Sequence, residues 1–129
     1  MNGVFDASAL LALFLKEDGH EAVTAALAAG AGMSVVNVSE VVVRCLRVGM
    51  PQAVASALLR STPVEIVHAG LDLALRTAAI EAATRPFGLP MGDRYCLALA
   101  AREAVPALTA DRQWARVGPL VGVEVELIR

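Results

Sequence analysis

The sequence predicts an α/β sandwich, three layers in which a mainly parallel five-stranded sheet lies between helices. Three observations lead there. Short apolar stretches recur along the chain, and most are followed by a longer stretch whose apolar residues have helical spacing. That alternation runs from one end to the other, as a parallel sheet covered on both faces requires. The 129 residues are 57% apolar and 19% charged, enough to fill such a core and too hydrophobic for a disordered chain. No repeat, low-complexity tract or linker divides the sequence, so residues 1–129 read as one domain.

In order, Val4 to Asp6 reads as a buried strand and Ser8 to Lys16 as a helix with Leu10, Leu11, Phe14 and Leu15 inward. After the Glu17-Asp18-Gly19 turn, an Ala-rich helix spans His20 to Ala29 and stops at Gly30-Ala31-Gly32. Met33 to Val36 reads as the second strand, and Asn37-Val38-Ser39-Glu40 opens a helix through Val48. Gly49-Met50-Pro51 ends that helix and starts another that reaches Arg60. Val64 to Val67 is the third strand, Gly70 to Ala83 a helix and Pro86 to Pro90 a loop. Asp93 to Glu103 is a helix, Ala107 to Thr109 the fourth strand and Arg112 to Val117 a short helix. Glu124 to Ile128 alternates as an edge strand should.

Several function classes drop out. The longest uncharged run, Ala22 to Ser39, is broken by Thr24, Gly30, Gly32, Ser34 and Asn37, which argues against a membrane-spanning helix. No basic segment precedes the first apolar run, so the expected location is the cytoplasm. Cys45 and Cys96 fall inside apolar helical patterns and read as reduced, buried thiols. The net charge of −2 seems unsuited to a polyanionic partner, but a site that gathers acids around a metal is governed by its local charge. Lys16 is the single lysine among the 11 basic residues; the others are arginine, the side chain suited to bidentate phosphate contacts.

Four acids occupy equivalent places. Asp6 ends the first strand, Asp111 follows the fourth, Asp93 starts a helix and Glu40 lies one turn into the helix after the second strand. In an open α/β sheet, groups at the carboxyl ends of strands face the ligand crevice. Two carboxylates about 5 Å apart repel by ~3 kcal/mol at an effective dielectric of 20, so such a quartet calls for a cation. An all-oxygen set suits Mg²⁺ or Mn²⁺; neither His20, His68 nor a cysteine lies near enough in sequence to favour zinc. Each acid also has a structural reading. Asn37-x-x-Glu40 is close to a capping box, Asp93 and Asp111 stand at helix starts, and Asp6 is the hardest to explain as a cap because Ser8 is available.

With these residues the chain resembles the PIN-domain nucleases, and among them the VapC-type toxins of toxin–antitoxin pairs. The matching stretches are Val4 to Ala12, Asn37 to Val41, Gly92 to Ala100 and Leu108 to Asp111. The resemblance implies a parallel five-stranded sheet and an acidic quartet at Asp6, Glu40, Asp93 and Asp111. Ser8, Asn37 and Thr109 fall where the family places small polar residues that orient the acids or water. It further implies Mg²⁺- or Mn²⁺-dependent cleavage of RNA to a 5′-phosphate and a 3′-hydroxyl, a homodimer, and a cognate antitoxin whose C-terminal segment covers the site.

Glu40, Arg44 and Arg47 share one helix face, where the two arginines either pair with the acid or contact phosphate. Arg94 and Arg112, each directly after an acid, carry the same two readings, as does Arg116. Tyr95 and Trp114 are expected in packing roles, and His20 and His68 away from the site. Val41, Val42, Leu46, Val48, Val54, Leu58 and Leu59 make the helix pair after Glu40 unusually apolar; some of this must be core, and an exposed excess there would suit a dimer or antitoxin groove. Rival α/β folds fit poorly. A phosphoaspartate receiver wants an acidic neighbour for Asp6, a haloacid-dehalogenase-type phosphatase wants an acid at Ser8, and Gly30-Ala31-Gly32 precedes a strand where a dinucleotide loop would follow one. The remaining alternative is a PIN-like module that binds RNA or protein without cutting.

Overall fold

The computed structural model describes residues 1–129. Strand β1 (Val4–Phe5) leads into helix α1 (Ala7–Phe14), and α2 (His20–Ala29) returns the chain to β2 (Ala31–Ser34). Helices α3 (Val35–Arg47) and α4 (Gln52–Ser61) connect to β3 (Val64–Val67), and α5 (Leu71–Ala79) and α6 (Glu81–Thr84) to α7 (Met91–Glu103). Then follow β4 (Ala107–Thr109), α8 (Trp114–Val117) and β5 (Val125–Leu127). The five strands lie in the order β3-β2-β1-β4-β5, and every pairing is parallel.

Successive residues of a strand face opposite sides of the sheet. Phe5 accordingly joins one core with Leu10, Met33, Val41 and Cys45, beneath α1 to α4. Val4 joins the other with Leu73, Leu97, Leu99 and Trp114, beneath α5, α7 and α8. Both residues are fully buried, so the sheet is sealed on both faces at its central strand. The order of strands reverses between β1 and β4, and a crevice opens at their carboxyl ends.

Four boundaries depart most from the sequence-based expectation. The second strand starts at Ala31, two residues before Met33, because Ala31 to Ser34 pair in register with Val64 to Val67 of β3. Gly32 is no helix stop: its N–H donates to the Gly3 carbonyl at 2.9 Å, and a Cβ there would run into the Met1 side chain. Val35 and Val36 then belong to α3, whose N-cap is Ser34, its hydroxyl accepting from the Val36 N–H at 3.2 Å. The expected helix over 70–83 breaks at Ile80, one turn after Thr77 donates its hydroxyl to the Leu73 carbonyl at 2.8 Å, a bond that bends helices. Helix α7 starts at Met91 directly after Pro90, which places Asp93 in the third helical position instead of at the cap.

Candidate active site

The loops at the carboxyl ends of β1, β2 and β4 and the N-terminal turn of α7 surround a cleft of about 750 Å³. Asp6, Glu40, Asp93 and Asp111 all line it, together with Ser8, Ser39, Arg44 and Arg47. Four acids spread over more than a hundred residues of chain therefore meet at one opening.

Asp6 is held most rigidly. Its Oδ1 accepts from the Ser8 hydroxyl at 2.7 Å and the Ala9 N–H at 2.9 Å, and its Oδ2 accepts from the Thr109 hydroxyl at 2.6 Å. Asp6 is thus the N-cap of α1, and Ser8 lies inside the helix as its donor; the two roles are the reverse of the sequence reading. The Thr109 hydroxyl also accepts from the Asp111 N–H at 3.0 Å, and the Ser8 hydroxyl from the Ala110 N–H at 2.9 Å. Two small hydroxyls therefore tie the end of β1 to the end of β4. Burial pushes the Asp6 carboxyl above its ordinary range, with the Glu40 charge adding to it, while the Thr109, Ser8 and Ala9 donors oppose the shift.

Asp93 has no comparable set of donors. Burial, followed by the charges of Asp6, Glu40 and Asp111, pushes it up to about 7. The nearby Trp114 indole N–H opposes this in part, although it completes no hydrogen bond. Glu40 is positioned by Asn37, whose buried amide donates to Glu40 Oε2 at 2.8 Å and to the Gly92 carbonyl at 3.0 Å. Asn37 therefore does not close a capping box; Ser34 caps the helix and Asn37 turns to the acid. Asp111 is exposed, and its Oδ1 accepts from the Gln113 N–H at 3.0 Å.

No histidine or cysteine lines the cleft, and all its acidic donors are oxygens. Both thiols are free and buried; burial raises each, and Cys96 is raised further by the nearby acids. No three of the acids are arranged to grip an ion directly. A half-buried Asp93 carboxyl pushed up to about 7 by burial and by three neighbouring acids fits a hard cation, and Mg²⁺ keeps several waters and takes only one or two carboxylates. That donor set fits hydrated Mg²⁺ or Mn²⁺ better than any ion that needs a closed cage.

Arg44 and Arg47 stand at the rim, one and two turns along α3 from Glu40, and neither forms an ion pair. Arg94 lines a separate hollow of about 320 Å³ with Ala74, Thr77, Glu81 and Tyr95, away from the acids. Arg112 is exposed and outside the cleft lining, and Arg116 lies over the Phe87 ring at 5.8 Å. Trp114 is fully buried and Tyr95 half-buried, as packing roles require. His20 pairs with Glu21 and His68 is exposed, both off the cleft. Ser39 and Gly92 escaped the sequence reading. Ser39 sits directly before Glu40 and is legible only once α3 is placed, and Gly92, directly before the helix expected from Asp93, proves to be a helical residue only because α7 starts at Met91.

Solved structures with this architecture cover nearly the whole chain. A toxin–antitoxin complex from Klebsiella pneumoniae is 21% identical, covers 99% of this chain and 98% of its own, and superposes with a TM-score of 0.71. DNA-bound VapBC from Salmonella typhimurium is 13% identical, with coverage of 100% and 99% and a TM-score of 0.76. VapC20 from Mycobacterium tuberculosis, a toxin that cleaves the sarcin–ricin loop, is 18% identical, with coverage of 91% and 95% and a TM-score of 0.74. At such identities these matches establish a common fold. No curated protein matches the sequence. The family model of the PIN domain matches residues 3–119, a span that includes all four acids of the cleft, and the chain belongs to the PIN-domain family.

Proposed function

We propose that the chain is a divalent-metal-dependent endoribonuclease, the toxin of a toxin–antitoxin pair, with residues 1–129 forming one nuclease domain that acts in the cytoplasm. The observation that carries this reading is the meeting of Asp6, Glu40, Asp93 and Asp111 in one cleft, with unpaired Arg44 and Arg47 at its rim. The toxin assignment is supported by the likeness in fold to VapBC complexes and to VapC20. A cognate antitoxin and a second copy of the chain are the partners proposed with it.

Asp6 and Asp93 would anchor Mg²⁺ or Mn²⁺, directly or through water, and Glu40 and Asp111 would complete its shell. The bound cation supplies neutralisation of the acids and stabilisation of charge on a phosphodiester oxygen during in-line attack. The rest is work for the side chains. Asp6, fixed by three donors, keeps its orientation when substrate arrives. Asp93, at about 7, changes its protonation near neutral pH. Asp111, in the cleft lining, can orient the attacking water, while Arg44 and Arg47 receive the phosphates flanking the cut.

The test is RNA cleavage with Mg²⁺ by Asp6→Asn and Asp93→Asn variants. Both should lose activity by at least 10²-fold while remaining folded. Undiminished cutting by both would end the assignment, and RNA binding without cleavage by the unaltered chain would favour a binding module.

A further inference from the structure

Glycine stands inside helix α7 where alanine would be the better helix former. Gly92 has no left-handed backbone to justify it, since its φ is not positive. What excludes a side chain is Glu40: a Cβ built on Gly92 would fall within the Glu40 carboxylate, meeting Oε1, Cδ and Oε2. The same residue's carbonyl takes the second hydrogen bond of the Asn37 amide, whose first goes to Glu40 Oε2. Both bonded groups are acceptors, so the Asn37 Nδ2 must face them, and its Oδ1 is left buried without a partner. A buried acceptor left unmatched weakens the fold, and what the arrangement secures is the place of one carboxylate.

We propose that Gly92 is the positioning residue for Glu40: its missing Cβ forms the seat on which the carboxylate rests, and its carbonyl holds the Asn37 amide that clamps that carboxylate from above. Residue 92 thereby sets how far Glu40 reaches into the cleft and how well the quartet receives a divalent cation. The inference deepens the proposed metal-dependent activity and rests on it for its functional consequence, though the packing relation stands without it.

The experiment uses the full chain with Gly92→Ala, Glu40→Asp and Glu40→Ala, singly and paired. Mn²⁺ binding is followed by calorimetry, RNA cleavage by gel, and thermal unfolding without metal. Gly92→Ala should weaken Mn²⁺ binding and lower kcat at least tenfold, with KM for RNA little changed. Paired with Glu40→Asp, whose shorter side chain clears the new methyl, it should add no further loss to that of Glu40→Asp alone. In metal-free protein Gly92→Ala should lower Tm when Glu40 is present and raise it in the Glu40→Ala background, where helix propensity alone acts. A chain that binds no Mn²⁺ and cuts no RNA even unaltered would refute the proposed function and leave the Tm comparison to judge the seat. Gly92→Ala that keeps Mn²⁺ affinity within twofold, losses that simply multiply in the pair with Glu40→Asp, or a Tm change of the same sign in both backgrounds would overturn the proposal.

Discussion

Asp93 and Thr109 show how single side chains divide the work of the cleft. The folded Asp93 carboxyl titrates at about 7 against an ordinary value of 3.8, so folded protein holds a proton that the unfolded chain releases. Stability from this group is therefore fullest below the unfolded value and is lost as pH rises through the folded one. Metal-free Asp93→Asn protein should gain stability over the unaltered chain as pH rises from about 4 to about 7, levelling off above that. After discount for partial exposure the gain is ~1–2 kcal/mol, measurable as Tm against pH in EDTA. Thr109 carries a structural task instead. Its hydroxyl donates to Asp6 and accepts from the Asp111 N–H, so Thr109→Val leaves two buried or half-buried groups without partners. Urea unfolding should show a loss of about 1–3 kcal/mol, largely restored by Thr109→Ser.

At the scale of the element, α3 does the most. Ser34 caps it, Asn37, Val41 and Cys45 are buried, and Glu40, Arg44 and Arg47 descend along the side that meets the cleft. Spacing of three and four residues keeps the acid and the two arginines over one another on one helix face. If Arg44 and Arg47 contact phosphates, alanine at either should reduce the slope of log affinity against log salt for RNA by about one. Arg94→Ala should leave the slope unchanged, because α7 directs that side chain into the hollow beside Glu81 and Tyr95. Equal effects at all three positions would mean that general charge, and not the α3 face, binds the RNA.

Across the whole molecule, a sheet sealed on both faces holds an opening whose acids oppose one another. Without a cation this arrangement lowers stability, a cost that the proposed ion would offset. Mn²⁺ at about 100 times its Kd should stabilise the folded chain by ~2.7 kcal/mol, raising Tm by about 10 °C. Asp6→Asn should abolish that gain. Apolar side chains also remain uncovered: Val43, Leu46 and Val54 on α3 and α4, and Leu71, Leu75 and Met91 on the opposite face, where α5 meets α7. Of the apolar residues expected to enrich the helix pair after Glu40, Leu46, Val48 and Val54 are exposed, Val42, Leu58 and Leu59 are half-buried and Val41 is core.

Periodicity determined the layers and the parallel sheet, because burial on both faces of a sheet marks the chain, and acids at the ends of those elements singled out the four that share the cleft. It did not determine where β2 begins, since Gly32 is a strand residue only by virtue of its pairing with β3 and the Met1 side chain against it. Nor did it tell a cap from a ligand: Asp6 caps and faces the cleft at once, while Asn37 leaves the cap to Ser34. Those distinctions depend on which groups arrive from distant parts of the chain. Glu40 lies against Gly92, and Asp6 beside Thr109, only after the sheet and its helices have closed.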